Sequence, residues 1–303
     1  MNGLGTPQGL TNVGEEAKPP YAVLPDPSTL FLGRSKRLRA LASGHALEPY
    51  LNFVADVTEA QHAIQASLPA AVLPPANQIQ QALEYGIPPL ARATFEPNEA
   101  ADATLNGLLG KMRQSNMTTE AGAAIESLAA ASGERQRQLM SAALHDWPVE
   151  NVAERVLVLA GLQVVFTRLA AKLAAEDLRP VADGVCPACG SPPMTTSVVG
   201  WPKAHNSRFC SCSLCGTMWN VVRIKCVLCG STEGISYHSI EGGPEAVKAE
   251  TCDKCQRYVK ILYQVKNHEL DPLSDDVASL GLDMLLAEGG WERGGHNLFL
   301  LGY

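Results

Sequence analysis

Eight of the nine cysteines stand in four Cys-x-x-Cys pairs: Cys186/Cys189, Cys212/Cys215, Cys226/Cys229 and Cys252/Cys255. Two intervening residues let a tight turn aim both sulfurs at one point. Two such turns facing each other make a tetrahedral cage of four thiolates. A Gly follows three of the pairs (Gly190, Gly216, Gly230), where it tolerates a positive φ and lets backbone N–H groups approach the sulfur. Gln256 follows the fourth, which puts that turn's geometry in question but not its ligands. The chemistry expected is therefore the binding of two metal ions. Four-sulfur tetrahedral sites suit zinc and equally a single iron, as in rubredoxin. A disulfide scaffold fits poorly, because such scaffolds belong to small secreted domains and an odd count leaves one thiol over. A redox dithiol at one of the pairs is the competing catalytic reading.

The interval between Cys189 and Cys212 is 22 residues, and so is that between Cys229 and Cys252. Equal intervals suggest a repeated unit of knuckle, strands, knuckle. Cys186/Cys189 would then join Cys212/Cys215, and Cys226/Cys229 would join Cys252/Cys255. The alternative joins the inner pairs across ten residues. Cys210 falls outside the pairs and reads as a strand thiol beside Phe209. With four thiols available per site, His205, His238 and His268 are not needed as ligands and read as surface or packing residues. No catalytic constellation appears: Gly242-Gly243 lacks the Lys-Ser/Thr of a phosphate loop, and His45, His62 and His145 carry no metal-ligand spacing.

These knuckles must be carried by short strands. Candidates are Ser197–Trp201, Met218–Arg223, Ile235–Ile240, Lys248–Thr251 and Arg257–Val265, rich in β-branched and aromatic residues. The chain before them reads as helical. Residues 1–27, rich in Gly and Pro, read as a flexible arm with an extended stretch near Tyr21–Leu24. Ser28 opens a helix that stops at Gly44, and its Arg34, Lys36, Arg37 and Arg39 read as a solvated basic face. Leu47–Leu68 is amphipathic, with Leu51, Val54, Val57, Ala60 and Ile64 at helical spacing. Further helices are expected over Asn77–Tyr85, from near Pro97, from near Thr118, over Glu134–His145 and over Glu150–Glu176. The last is apolar on every side from Val156 to Leu162, as a helix enclosed by its neighbours would be. A final helix is expected from Ser274, as N-cap, to Glu288. The fold class is thus α+β, organised as the arm, a helical domain over 28–180, a first four-Cys rubredoxin-like or zinc-ribbon unit over 181–225, and a second over 226–303 with the C-terminal helix.

The whole chain of 303 residues has a net charge of -7 and 46% hydrophobic residues, the composition of a globular protein. The charge argues against a protein that grips phosphate backbones. The ribbon region carries nine Lys or Arg against six Asp or Glu, but scattered, so a nucleic-acid-binding ribbon or adaptor is kept only as an alternative. Neither a secretory signal nor a bilayer-length apolar run is seen, and a cytoplasmic protein without membrane insertion is expected.

These residues resemble a known family, the formate dehydrogenase accessory (formation) protein family, FdhE. The resemblance rests on Cys186-Pro-Ala-Cys189-Gly190, on Cys212-Ser-Leu-Cys215-Gly-Thr-Met-Trp219-Asn-Val-Val-Arg-Ile-Lys-Cys226 and on Lys248-Ala-Glu-Thr-Cys252-Asp-Lys-Cys255. It continues through Tyr258-Val-Lys-Ile-Leu-Tyr263-Gln and Asp275-Asp-Val-Ala-Ser-Leu, with a similar Arg37-Leu-Arg-Ala-Leu-Ala stretch in the N-terminal part. The resemblance implies a cytoplasmic, non-catalytic factor that binds the catalytic subunit of respiratory formate dehydrogenase and is needed for its activity. It also implies rubredoxin-like iron on the eight paired cysteines, which favours iron over zinc.

Overall fold

The computed structural model describes residues 18–115, 117–146 and 151–301. Helices α1 (Leu30–Ala42), α2 (Glu48–Ile64), α3 (Ala76–Glu84), α4 (Glu99–Met112), α5 (Thr119–Ala130), α6 (Gly133–Leu144) and α7 (Val152–Ala170) form the N-terminal part. Local chemistry sets several of their starts. Asn98, Thr118, Ser132 and Asn151 each accept a backbone N–H of the first turn through the side chain. The centre of α7 is buried on all sides, as its unbroken apolar run requires.

Eight strands form one sheet: β1 (Ala22–Val23), β2 (Pro193–Val198), β3 (Arg208–Cys212), β4 (Met218–Val221), β5 (Ile235–His238), β6 (Val247–Cys252), β7 (Arg257–Tyr263) and β8 (Glu292–Arg293). Their order is β1-β4-β3-β2-β7-β6-β5, with β8 against β7. β2–β3–β4 is one antiparallel ribbon and β5–β6–β7 the other. The parallel pairing of β2 with β7, Thr196 opposite Ile261, fuses the two ribbons into a single sheet. Arg208 of β3 reaches across that seam to Glu250 of β6 at 2.8 Å, both buried.

Three expectations are corrected. Of the arm expected over 1–27, residues 1–17 lie outside the described residues, whereas 18–27 belong to the body: Ala22–Val23 pairs with Trp219 and Met218 of β4. The basic stretch of α1 is only in part a solvated face. Lys36 and Arg39 are exposed, Arg39 pairing with Asp56, but Arg34 is buried and Arg37 donates two hydrogen bonds to Asp275. The C-terminal helix is broken into α8 (Ser274–Ala278) and α9 (Leu280–Glu288). Its N-cap position is Leu273 rather than Ser274, and the carboxylate of Asp271 just before it accepts from Leu273 N and Ser274 N.

The main hydrophobic core does not stop at the end of the helices. It runs from Leu51, Leu105 and Leu157 through Cys186, Cys189, Cys212 and Cys215 to Val277 and Phe299. Lys260 on β7 is fully buried, with its ammonium 3.2 Å from Asp276 and 2.5 Å from Asp283; Arg293 on β8 pairs with the same two carboxylates. This charged knot fastens α8 and α9 to the sheet.

Candidate metal centres

Each cysteine pair sits in the same turn. Gly190 N donates to Cys186 O at 2.9 Å, Gly230 N to Cys226 O at 2.9 Å and Gln256 N to Cys252 O at 2.8 Å. The residue after each second cysteine is left-handed: φ is 78° at Gly190, 75° at Gly216, 78° at Gly230 and 55° at Gln256. The positive φ anticipated from the glycines is therefore present, and Gln256 adopts it as well, at the steric cost a Cβ carries there. At Gly216 a Cβ would also come 2.9 Å from a terminal methyl of Leu30 and 3.4 Å from Pro25, so the Leu30 side chain would have to shift to admit it.

The turns converge two by two, in the sequential pairing. Cys186 Sγ lies 3.7 Å from Cys215 Sγ, and Cys189 Sγ 3.4 Å from Cys212 Sγ. In the second unit Cys226 Sγ lies 3.9 Å from Cys255 Sγ, and Cys229 Sγ 3.7 Å from Cys252 Sγ. Within each tetrad all four sulfurs lie within 4.8 Å of one another. A disulfide needs an S–S distance of about 2.0 Å, and all nine cysteines are free. A tetrahedral ion with metal–sulfur bonds of about 2.3 Å has sulfur–sulfur edges of about 3.8 Å. The edges of 3.4 and 3.7 Å in the first tetrad and 3.7 and 3.9 Å in the second lie near that length, so the residues fit a four-thiolate ion at each of two sites.

Hydrogen bonding to sulfur reinforces the fit at the first tetrad. Leu214 N and Cys215 N both donate to Cys212 Sγ at 3.4 Å. Thr217 Oγ1 lies 3.1 Å from Cys215 Sγ, and Ser191 Oγ 3.4 Å from Cys189 Sγ. Burial pushes the Cys186 and Cys215 thiols well above the usual range. Cys189, equally buried, is held well below it by hydrogen bonds from Cys186, Cys212, Cys215 and Ser191. A bound dication would favour the thiolate form of its ligands. In the second tetrad burial pushes Cys226 up to about 12.

The helical part positions the first tetrad directly. Leu90 N donates to Ala188 O and Arg92 N to Cys189 O, each at 2.9 Å, so the Pro88-Pro89 bend lies on the first knuckle. Gln163, the polar break in the apolar run of α7, donates to Ser213 O at 2.8 Å and accepts from Gln61. Neither Gln163 nor the sulfur-facing hydroxyls of Ser191 and Thr217 were singled out by spacing. The signal for the hydroxyls was present in the recurring Cys-Gly-Ser/Thr after three pairs. Cys210 is buried on β3, outside both tetrads, and burial pushes its thiol up to about 12. His205, His238 and His268 are exposed and belong to neither tetrad.

Comparison with known proteins agrees along the whole chain. Residues 19–183 match the family model "FdhE, N-terminal", residues 185–223 "FdhE, central domain" and residues 224–300 "FdhE, C-terminal domain". The chain is 40% identical over 294 residues to a "Protein FdhE homolog" of Rhizobium meliloti (strain 1021), covering 96% of each chain. It is 35% identical over 288 residues to one of Stutzerimonas stutzeri (strain A1501), covering 94% of this chain and 93% of that protein. The crystal structure of the FdhE protein from Pseudomonas aeruginosa superposes with a TM-score of 0.84 at 33% identity, covering 93% of this chain and 99% of that one. Three consecutive family models, relatives of matching length and a shared fold leave one assignment: this chain belongs to the FdhE family.

Proposed function

We propose that the chain is a non-catalytic accessory factor that binds the catalytic subunit of formate dehydrogenase in the cytoplasm and is required for that enzyme to become active. The observation that carries this reading is membership of the FdhE family over nearly the full length, in a chain that also assembles both cysteine tetrads. We further infer that Cys186, Cys189, Cys212 and Cys215 hold one ion and Cys226, Cys229, Cys252 and Cys255 a second, with iron favoured by the family and zinc compatible with the same ligands. A tetrathiolate ion supplies folding free energy at both sites, and iron would add a one-electron couple. Convergence of the thiols four at a time, rather than two at a time, favours ion binding over dithiol chemistry. Among the described residues no helix is long and apolar enough to cross a membrane.

The test is co-purification of the formate dehydrogenase catalytic subunit with the tagged chain, in a host lacking its own copy. The unaltered chain should retain the subunit and restore formate oxidation. Replacing the cysteines of all four pairs by Ser should lose both. Unchanged capture and unchanged dehydrogenase activity in that variant would sink the proposal. Metal analysis with visible absorption separates a red ferric-thiolate protein from a colourless zinc one.

A further inference from the structure

The two tetrads share one knuckle geometry but not one environment. In the first, the four cysteines are 0%, 0%, 1% and 0% exposed. The helical part closes over them from several directions. Pro88 lies 3.4 Å from where a Cβ on Gly190 would stand, Leu30 and Pro25 press on Gly216, and Gln163 holds Ser213. Arg34, one turn beyond Leu30, is 3% exposed and stands over the Phe31 ring at 5.6 Å. Its Nε has no hydrogen-bond partner among the described residues. Burial works against its charge, which Asp271 and Cys212 favour electrostatically. The second tetrad lacks cover from the helices: Asp183 and Gly184 of the linker close on the Cys226/Cys229 knuckle, but the sulfurs are open on one side. Cys226 and Cys252 are buried, but Cys229 is exposed and Cys255 half-buried. The nearby hydroxyl of Ser231, which takes the place of Ser191 in the repeat, bonds to Glu233 O instead of a sulfur.

Ligand exchange at a tetrathiolate ion requires an incoming donor to reach the ion while a sulfur leaves. Access therefore sets the rate, and a sealed site exchanges only when the structure around it opens. We propose that the second tetrad is an exchange site, where a thiophilic metal ion is passed to and from soluble ligands through the Cys229 and Cys255 side, while the first tetrad keeps its ion for as long as the chain is folded. Each metal–sulfur bond that breaks is replaced by one bond to an incoming thiolate or nitrogen donor, and the ion's charge does not change. The two sites thus have different tasks: the first closes the core, and the second is open to acquire or release its ion.

This rests on the two-ion reading above, and the experiment separates the failure of either. The full-length chain is loaded with two equivalents of zinc and mixed with excess 4-(2-pyridylazo)resorcinol, and release is followed by absorbance. Release should occur in two phases of one equivalent each, separated on the order of 100-fold or more, because the inner site opens only with the core around it. Brief treatment with iodoacetamide should label Cys229 first and Cys255 next, leaving Cys186, Cys189, Cys212 and Cys215 unmodified by peptide mass. Cys229→Ser should abolish the fast phase and leave the slow phase and the far-ultraviolet circular dichroism unchanged. Release of both ions in one phase, first labelling within the inner four, or a fast phase that survives Cys229→Ser would overturn the proposal while leaving the two-ion reading intact. A chain that takes up no zinc would overturn the two-ion reading itself.

Discussion

Gln256 occupies the position where the other three knuckles have Gly, and its φ of 55° places a Cβ in the left-handed region. That conformation costs a non-Gly residue about 1–2 kcal/mol, part of which Gly returns as lost chain entropy. Its side chain recovers one exposed hydrogen bond, to Asp253 O at 2.7 Å. Gln256→Gly should therefore raise the stability of the ion-loaded chain by roughly 0.5–1 kcal/mol. A thermal melt that moves down, or metal content that falls, would show that the side chain contributes more than its backbone conformation costs. At this scale the sequence was informative. The spacing within each pair and the glycines after it are local, and a tight turn is decided by its own few residues. Arg34 was not legible in the same way. Its neighbours in sequence, Lys36, Arg37 and Arg39, suggested a solvated basic face, and only packing of α1 on the ribbon turns Arg34 inward.

At the scale of elements, the attachment of α8, α9 and β8 to the sheet depends on buried charges. Lys260 and Arg293 face Asp276 and Asp283 with almost no solvent, and Tyr258 Oη donates to Asp283 at 2.8 Å. Removing one member leaves an uncompensated buried charge, so Lys260→Met should cost about 3–5 kcal/mol in urea unfolding. A loss under about 1 kcal/mol would mean that the remaining groups rearrange into a satisfied set. The same knot sets an acid limit. Burial opposes ionisation of Asp276, but Arg293 and Lys260, with the hydrogen bonds of Arg293 and Asn297, hold its carboxyl below the usual range. A carboxyl held low in the folded chain contributes stability above the unfolded value of about 3.9, and the contribution disappears as pH falls through the folded value. The urea midpoint should accordingly lose stability from this group only below about pH 4. Asp276→Asn, less stable at neutral pH, should show a shallower acid limb. An identical acid limb in both chains would remove Asp276 from the cause.

At the scale of the whole molecule, the first tetrad and the helical part share one core, so ion binding and helix stability are coupled. Four-thiolate sites contribute folding free energy of order 10 kcal/mol, and roughly 1 kcal/mol moves the melting temperature of a chain this size by about 2–4 °C. Stripping both ions should therefore lower the helical transition at 222 nm by at least about 10 °C, in a single step with the loss of the ribbon. A helical transition that stays in place while the ribbon unfolds would show two independent bodies. Stripping the outer ion alone, through Cys229→Ser, should leave the helical transition nearly where it was, because that tetrad lies largely outside the shared core.

What the sequence determined by itself is what short spacing can enforce: four knuckles, the helices between capping residues, most of the ribbon strands, and a resemblance carried by contiguous motifs. Cys210 read as a strand thiol, but the span of β3 was not marked, because Arg208 and Ser211 do not look like a strand until β2 and β4 flank them. Equal intervals made sequential pairing of the knuckles attractive but could not exclude pairing across the ten-residue link. Convergence of Cys186 with Cys215, and of Cys226 with Cys255, follows from hairpin register and sheet order. The tertiary structure alone decided the inequality of the two sites. Nothing in Cys-x-x-Cys-Gly distinguishes a buried sulfur from an exposed one; α1, α7 and the Pro88-Pro89 bend cover one tetrad and do not extend to the other.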